Sequence, residues 1–262
     1  MTQEFTPYSD IHEILKFFLK NIRAILGKNF VGMYLYGSLA QGDFNPETSD
    51  IDFIVITKEN VSDEQFLSLG KLHKEFYLSE TKWAKKVEAA YVEKEALGRY
   101  EIDSTLYPQI EKDRAFAREK LEMGWPFQCY ILREHGIVIS GPDPKSLLPP
   151  VDFRHMVMSA KFIAELWNKQ AQDEKESAFL YEEDKFVVIT LCRFLYLLHA
   201  KKIGTKLTAV RWAKENLKKE WTDVIDQILL DKKIDKDIKF NNIIAFIKYT
   251  VDSLVNMSTT VN

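Results

Sequence analysis

Two aspartates, Asp50 and Asp52, flank Ile51 at the start of the run DIDFIVIT. On an extended strand side chains alternate between faces, so both carboxylates point one way and Ile51 points the other, into a core. Two carboxylates held this close repel each other, and together they make a strong cation site. Magnesium uses such carboxylates along with phosphate oxygens. Two magnesium ions about 3.5–4 Å apart would activate an attacking hydroxyl and stabilise a leaving oxygen. A second chemical signal lies upstream, where Gly37-Ser38 ends the apolar run FVGMYLY. The glycine allows a tight turn and a close backbone approach. The serine hydroxyl and the amides near it could hold phosphate oxygens. If the two runs pair as strands, their chemical ends adjoin. An isolated Asp-x-Asp usually marks only a solvated strand end. The neighbouring Gly37-Ser38 turns the pair towards metal-assisted chemistry on phosphates.

The elements around these residues would hold them in place. Residues 9–27 carry Ile11, Ile14, Leu15, Phe18, Ile22, Ile25 and Leu26 at helical spacing, with Ser9 or Asp10 to cap the start and Gly27 to stop it. Residues 30–36 read as a buried strand, 38–42 as a short helical turn and 43–49 as a turn-rich loop. Residues 50–57 form the second strand, 61–78 a helix and 85–92 a third strand. This order predicts a small α/β sheet with helices on one side. Residues 94–124 have weak periodicity and read as irregular. Residues 125–139 hold a helix ending at Gly136, and GPDPKSLLPP at 141–150 is a punctuated linker. The domain boundary falls there, giving a catalytic domain at 1–149 and an all-α domain at 150–262. In the second domain, residues 152–169, 182–202, 207–219, 221–230 and 240–257 read as helices. EEDKFVVITLCRFLYLLHAKK is apolar enough to be the centre of the bundle.

Composition narrows the functional classes. The 262 residues are 46% hydrophobic and 29% charged, as in an ordinary soluble globular protein. The net charge of -3 lacks the basic surplus of a protein built for non-specific nucleic-acid binding. The polar, acidic start MTQEFTPYSD does not resemble a secretory signal, and no apolar run is long enough for a membrane span. A cytoplasmic monomer is the expectation. Cys129 and Cys192 make no metal or disulfide pattern and read as buried thiols. No Gly-x-x-x-x-Gly-Lys-Ser/Thr occurs, so the phosphate cradle is not a P-loop.

The run GSLAQGDFNPETSDIDFIV resembles the signature of the DNA polymerase β-like nucleotidyltransferase superfamily: Gly-Ser, about a dozen residues, then Asp-x-Asp. ILREHGIVISGPDP, VVITLCRFLY and KKIGTKLTAVRWAKENL resemble the streptomycin/spectinomycin adenylyltransferases of the aminoglycoside-modifying group, whose helical domain follows the catalytic one in the same order. The resemblance implies transfer of AMP from ATP to an antibiotic hydroxyl, with release of pyrophosphate. It implies that Asp50 and Asp52 bind metal, that Gly37 and Ser38 contact nucleotide phosphates, and that Glu88 deprotonates the acceptor. It also implies that Arg193 and Lys206 contact the triphosphate. Glu183 lies nearest the acidic position that binds the drug, with Asp184 beside it. Phe179 and Phe186 stand where drug-selective members tend to carry polar residues, which favours spectinomycin over streptomycin.

The residues themselves support part of this. Glu88 sits among Val87, Ala89 and Ala90, where a carboxylate could lie buried near the metal pair and take a hydroxyl proton. Its plainer reading is a surface glutamate beside Lys85 and Lys86. Arg193 lies within the apolar ITLCRFLY and needs an anionic partner, either a triphosphate or a structural acid. Lys206 follows a short break at Gly204 and opens a helix, or is a solvated loop lysine. Glu183 and Asp184 could serve a cationic substrate or simply favour the dipole at a helix start. Trp125, Trp167, Trp212 and Trp221 read as packing residues, and Trp83 as one near the edge of the site. Alternative acceptors are a different small metabolite or a protein side chain. A non-catalytic nucleotide-binding protein is the remaining alternative.

Overall fold

The computed structural model describes residues 4–100, 104–111, 114–173, 176–233 and 235–260. The chain divides into two compact units, Met1–Val151 and Asp152–Asn262. In the first, helix α1 spans Ser9–Leu26, and strand β1 (Phe30–Leu35) leads into the five-residue helix α2 (Gly37–Gln41). Strand β2 (Ile51–Thr57), helix α3 (Asp63–Tyr77) and strand β3 (Val87–Glu93) follow. Two short strands, β4 (Tyr107–Ile110) and β5 (Ala117–Glu119), precede helix α4 (Trp125–His135), strand β6 (Ile137–Ser140) and the short helix α5 (Pro144–Leu147).

Local chemistry explains the long elements. In α1, Ile11, Leu15, Phe18, Ile22 and Leu26 are buried along one stripe, and Gly27 stops the helix at a φ of 53°. Helix α3 starts at a capping box: the Gln65 amide donates to Ser62 Oγ, and the Ser62 amide donates to Gln65 Oε1. This helix makes the crossover between β2 and β3, which pair in parallel. The sheet order is β5-β4-β3-β2-β1-β6, and every other pairing is antiparallel.

One face of the sheet packs Met33, Leu35, Phe53, Val55 and Tyr91 against α1 and α3. Burying a side chain such as Phe18 or Ile22 contributes about 1.5–3 kcal/mol. The expectation of helices on one side only is corrected by α4. Its Trp125, Cys129 and Leu132 join Tyr34, Ile54, Ile56, Ala90 and Val92 on the opposite face. The central strands are apolar on both faces, so both need cover.

Strands β4 and β5 fall in the stretch expected to be irregular, and within 94–124 residues 101–103 and 112–113 lie outside the described residues. Both strands are short and half-buried near a sheet edge, so they lack an apolar alternation to betray them. Strand β6 follows the helix end at Gly136 and exists through pairing with β1, about a hundred residues away in sequence.

The second unit is helical throughout its regular structure: α6 (Phe153–Gln170), α7 (Ser177–Glu182), α8 (Asp184–Ala200), α9 (Lys206–Asn216), α10 (Lys219–Leu229) and α11 (Lys236–Thr260). The apolar α8 is central and touches each of the other five. Val187, Val188, Leu191, Cys192, Phe194, Leu195 and Leu197 are buried around much of its circumference. Asp152 caps α6 and Thr205 caps α9. Cys129 and Cys192 are buried free thiols, each pushed up to about 12 by burial. Among the described residues, no helix is long and apolar enough to cross a membrane.

Candidate active site

The sheet register brings the first set of candidate residues together. Strands β1 and β2 pair Leu35 with Phe53, and one step further the Tyr36 amide donates to the Asp52 carbonyl at 3.1 Å. Strands β2 and β3 place Asp52 directly beside Glu88. Register partners on neighbouring strands share a face, so both carboxylates lie on the side of the sheet that carries Ile54 and Ala90. Strands β3 and β4 pair Ala89 with Ile110, and the next step in that register sets Glu88 against Glu111. A row of Tyr36, Asp52, Glu88 and Glu111 thus crosses four strands at one end of the sheet.

Electrostatics reports the same row. The Tyr36 phenol is held well above its ordinary value of 10, first by burial and then by Asp52, Glu88, Glu111 and Glu122. It therefore remains a neutral hydroxyl. Burial raises the Glu122 carboxyl, and Glu111 and Glu119 push it the same way against Arg114.

Gly37 begins α2 with a φ of 65°. A Cβ there would sit 2.1 Å from Asp52 Oδ2, so only glycine lets the Asp52 carboxylate lie against this turn. Ser38 follows in the same turn, and its carbonyl accepts from the Asp43 amide at 3.0 Å. Asp50 closes the next loop just before β2. Asn45 organises that loop: its carbonyl accepts from the Thr48 and Ser49 amides, and its side-chain oxygen accepts from the Glu47 amide. Gly37, Ser38, Asp50, Asp52 and Glu88 are thereby gathered around the ends of β1 and β2 and the start of β3. The arrangement offers paired carboxylates for a cation, a backbone turn beside them, and a third carboxylate one strand over.

The helical unit supplies a second set. Arg193 is half-buried on α8, and its Nε donates to the Gly204 carbonyl at 3.1 Å. This bond ties α8 to the turn before α9, and Lys206 is the exposed first residue of α9. Arg193 thus holds the turn that precedes Lys206. Glu183 is exposed between α7 and α8 and makes no capping bond with its side chain. Its neighbour behaves differently. Asp184 is 8% exposed and forms an ion pair with Lys239 of α11. In this structure its carboxylate is engaged inside the bundle by that partner, whereas Glu183 is not. Phe179 and Phe186 are both partly exposed and flank Trp167, with ring centroids 6.5 and 6.1 Å away.

Sequence reasoning missed Tyr36, Glu111 and Glu122. Tyr36 could have been found, because it lies two residues after Tyr34 on the same strand face and directly before Gly37. Glu111 and Glu122 sit in a stretch with no periodic signal. Trp83 is buried, 1% exposed, and its Nε1 donates to Asp10 Oδ2 at 2.7 Å.

A mixed sheet with paired aspartates beside a glycine-serine turn, followed by a helical bundle, defines a nucleotidyltransferase. Residues 19–121 match the nucleotidyltransferase domain model, and residues 146–252 match the model of the aminoglycoside adenylyltransferase C-terminal domain. The chain thus carries a nucleotidyltransferase domain followed by a domain of the aminoglycoside adenylyltransferase C-terminal type. It is 24% identical to a spectinomycin 9-adenylyltransferase of Staphylococcus aureus over 253 residues, 91% of each chain. It is 26% identical to an aminoglycoside (3'') (9) adenylyltransferase of Klebsiella pneumoniae over 223 residues, 76% of this chain and 77% of that one. Its fold matches the solved structure of spectinomycin adenyltransferase AAD(9) from Enterococcus faecialis with ATP and spectinomycin, at a TM-score of 0.70 and 18% identity, covering 93% of this chain and 98% of that one.

Proposed function

We propose that this nucleotidyltransferase transfers AMP from ATP to a hydroxyl of an aminoglycoside-type antibiotic, spectinomycin in preference to streptomycin, and releases pyrophosphate. The observation that carries the proposal is the pairing of Asp52 with Glu88 across β2 and β3, with Gly37 against the Asp52 carboxylate. The relatives named for spectinomycin and aminoglycoside adenylylation support the choice of donor and acceptor. A solved protein of the same fold holds ATP and spectinomycin together.

Asp50 and Asp52 would hold magnesium, as two ions. Among the described residues, no group of three or more His, Cys, Asp or Glu side chains forms a cage for a metal. That donor set fits magnesium, which takes one or two carboxylates and completes its shell with phosphate oxygens and water. When bound, the metal neutralises phosphate charge and favours ionisation of the attacking hydroxyl. Glu88 takes the acceptor's proton. Gly37 and Ser38 receive phosphate oxygens, and Arg193 and Lys206 act as clamps on the triphosphate. Glu183 attracts a cationic acceptor, and Asp184 keeps its partner Lys239. Positioning and electrostatic stabilisation carry the catalysis.

Purified protein with ATP, magnesium and a panel of aminoglycosides is expected to release pyrophosphate with spectinomycin. Release only with an unrelated acceptor would keep the transferase and remove the antibiotic. Glu88→Gln is expected to retain ATP binding and lose turnover by about 100-fold or more. Undiminished turnover in that variant would remove Glu88 as the base.

A further inference from the structure

The proposed centre depends on a loop, residues 43–49, that carries the chain from the Gly37-Ser38 turn to Asp50. A lysine just before strand β3 reaches into it. Lys86 Nζ donates to the Glu47 carbonyl at 2.8 Å and to the Pro46 carbonyl at 3.3 Å. The backbone of the same residue holds the next link, because the Lys86 carbonyl accepts from the Ile51 amide at 2.6 Å. Ile51 lies between the two aspartates, and Glu88 lies two residues beyond Lys86. One residue thus bonds the loop before the metal pair and the backbone within that pair, at the foot of the strand that carries the base.

The anchor itself is fixed. The Lys86 amide donates to the Trp83 carbonyl at 2.9 Å, and its ammonium lies 5.4 Å from the centre of the Trp83 ring. Trp83 is buried and held by Asp10 at the start of α1. Phe44, from the loop, packs between Trp83 and Tyr8, at 5.9 and 5.0 Å between ring centroids. A plain surface lysine has no such attachment. It would leave its ammonium in water and its stem mobile.

We infer that Lys86 is a positioning residue for nucleotidyl transfer: its ammonium clamps the loop before Asp50 to the start of β3 and thereby sets the metal pair against Glu88. The inference rests on the proposed roles of Asp50, Asp52 and Glu88. Lys86 acts through the loop carbonyls, so its loss should weaken the chemical step more than nucleotide binding. A misplacement of about 1 Å at such a centre reduces rate by about 100-fold.

The test compares full-length wild type with Lys86→Met, which keeps the stem and removes the donors, and with Lys86→Arg, which keeps donors. Amide hydrogen exchange reads the loop directly, because local opening sets the exchange rate. In Lys86→Met, amides of residues 45 and 47–51 are expected to exchange about 10-fold faster or more while the core of α1 is unchanged. Its kcat should fall about 10-fold or more with the KM for ATP within about 3-fold, and Lys86→Arg should recover most of both losses. Should Lys86→Met fail to fold, Lys86→Leu, which also removes the donors, takes its place with the same measurements. Unchanged exchange in the loop would overturn the inference, and so would a raised KM for ATP with kcat intact, the mark of a direct phosphate contact. If wild type transfers AMP to no acceptor, the functional proposal fails separately, and the exchange comparison still decides whether Lys86 clamps the loop.

Discussion

The two units place their candidate residues by different means. In the first, Asp52 and Glu88 are register partners on neighbouring strands, and Gly37 is defined by a backbone turn that admits the Asp52 carboxylate. Their positions follow from the ladder of backbone hydrogen bonds. In the second, Arg193 is tied to the turn that precedes Lys206 by one side-chain bond to the Gly204 carbonyl. Of the two adjacent acids, packing exposes Glu183 and draws Asp184 to Lys239. Groups set by a sheet register have little freedom to move. Groups presented by helix ends depend on long side chains and on which neighbour claims them.

The largest expected effect tests the sheet side of this contrast. Gly37→Ala would place a methyl where the Asp52 carboxylate now lies and would strain a residue at a φ of 65°. Transfer activity should fall by about 100-fold or more, because the Asp52 carboxylate is displaced and has no room to yield. Near-normal kcat in a folded Gly37→Ala protein would show that the register does not set the centre.

A smaller effect tests the helical side. Asp184→Ala leaves Lys239 without its carboxylate in a mostly buried position. The second unit is expected to lose about 2–3 kcal/mol in denaturant unfolding, somewhat below the loss for a fully buried pair. Glu183→Ala, at an exposed site, should cost under about 0.5 kcal/mol. A variant of Asp184 that is as stable as wild type but has a raised KM for the acceptor would reverse the assignment of the two acids.

The smallest effect separates the units by pH. His73 is buried in the first unit between Phe18 and Phe116, with Nε2 2.7 Å from the Tyr91 hydroxyl. Burial lowers its pKa from 6.5 to about 3, so the folded protein keeps it neutral while the unfolded chain takes up a proton. Stability from this group is fully present above pH 6.5 and is lost as pH falls from there towards 3. The slope approaches about 1.4 kcal/mol per pH unit in that window. Among the described residues of the second unit no histidine is buried. Mild acid should therefore weaken the first unit's core through His73. A His73→Gln protein should show a shallower decline between pH 6.5 and 4.5 in thermal unfolding, and an identical slope would exclude His73 as its source.

Much of the first unit could be read from residues alone, because its signals are local. Gly37-Ser38 and Asp50/Asp52 stand at the ends of apolar runs, and period-two alternation already orients the aspartates. Glu88 was legible as an acid amid small apolar residues, but nothing in a linear chain says that it lies beside Asp52. Strand β6 and the row through Tyr36 and Glu111 depend on pairing between distant segments, so local periodicity could not reveal them. Lys86 stood in the sequence only as one of two adjacent lysines before Glu88.

The sequence by itself determined the order of α/β unit and helical bundle, the glycine-serine turn and the aspartate pair at the start of β2. Backbone conformation and alternation of side chains act over a few residues and leave their mark there. Only the tertiary structure decided which carboxylate stands next to Asp52, that Asp184 belongs to Lys239, and that Lys86 holds the loop before Asp50. Each of these is a contact between segments remote in the chain, fixed by register and packing rather than by any local preference.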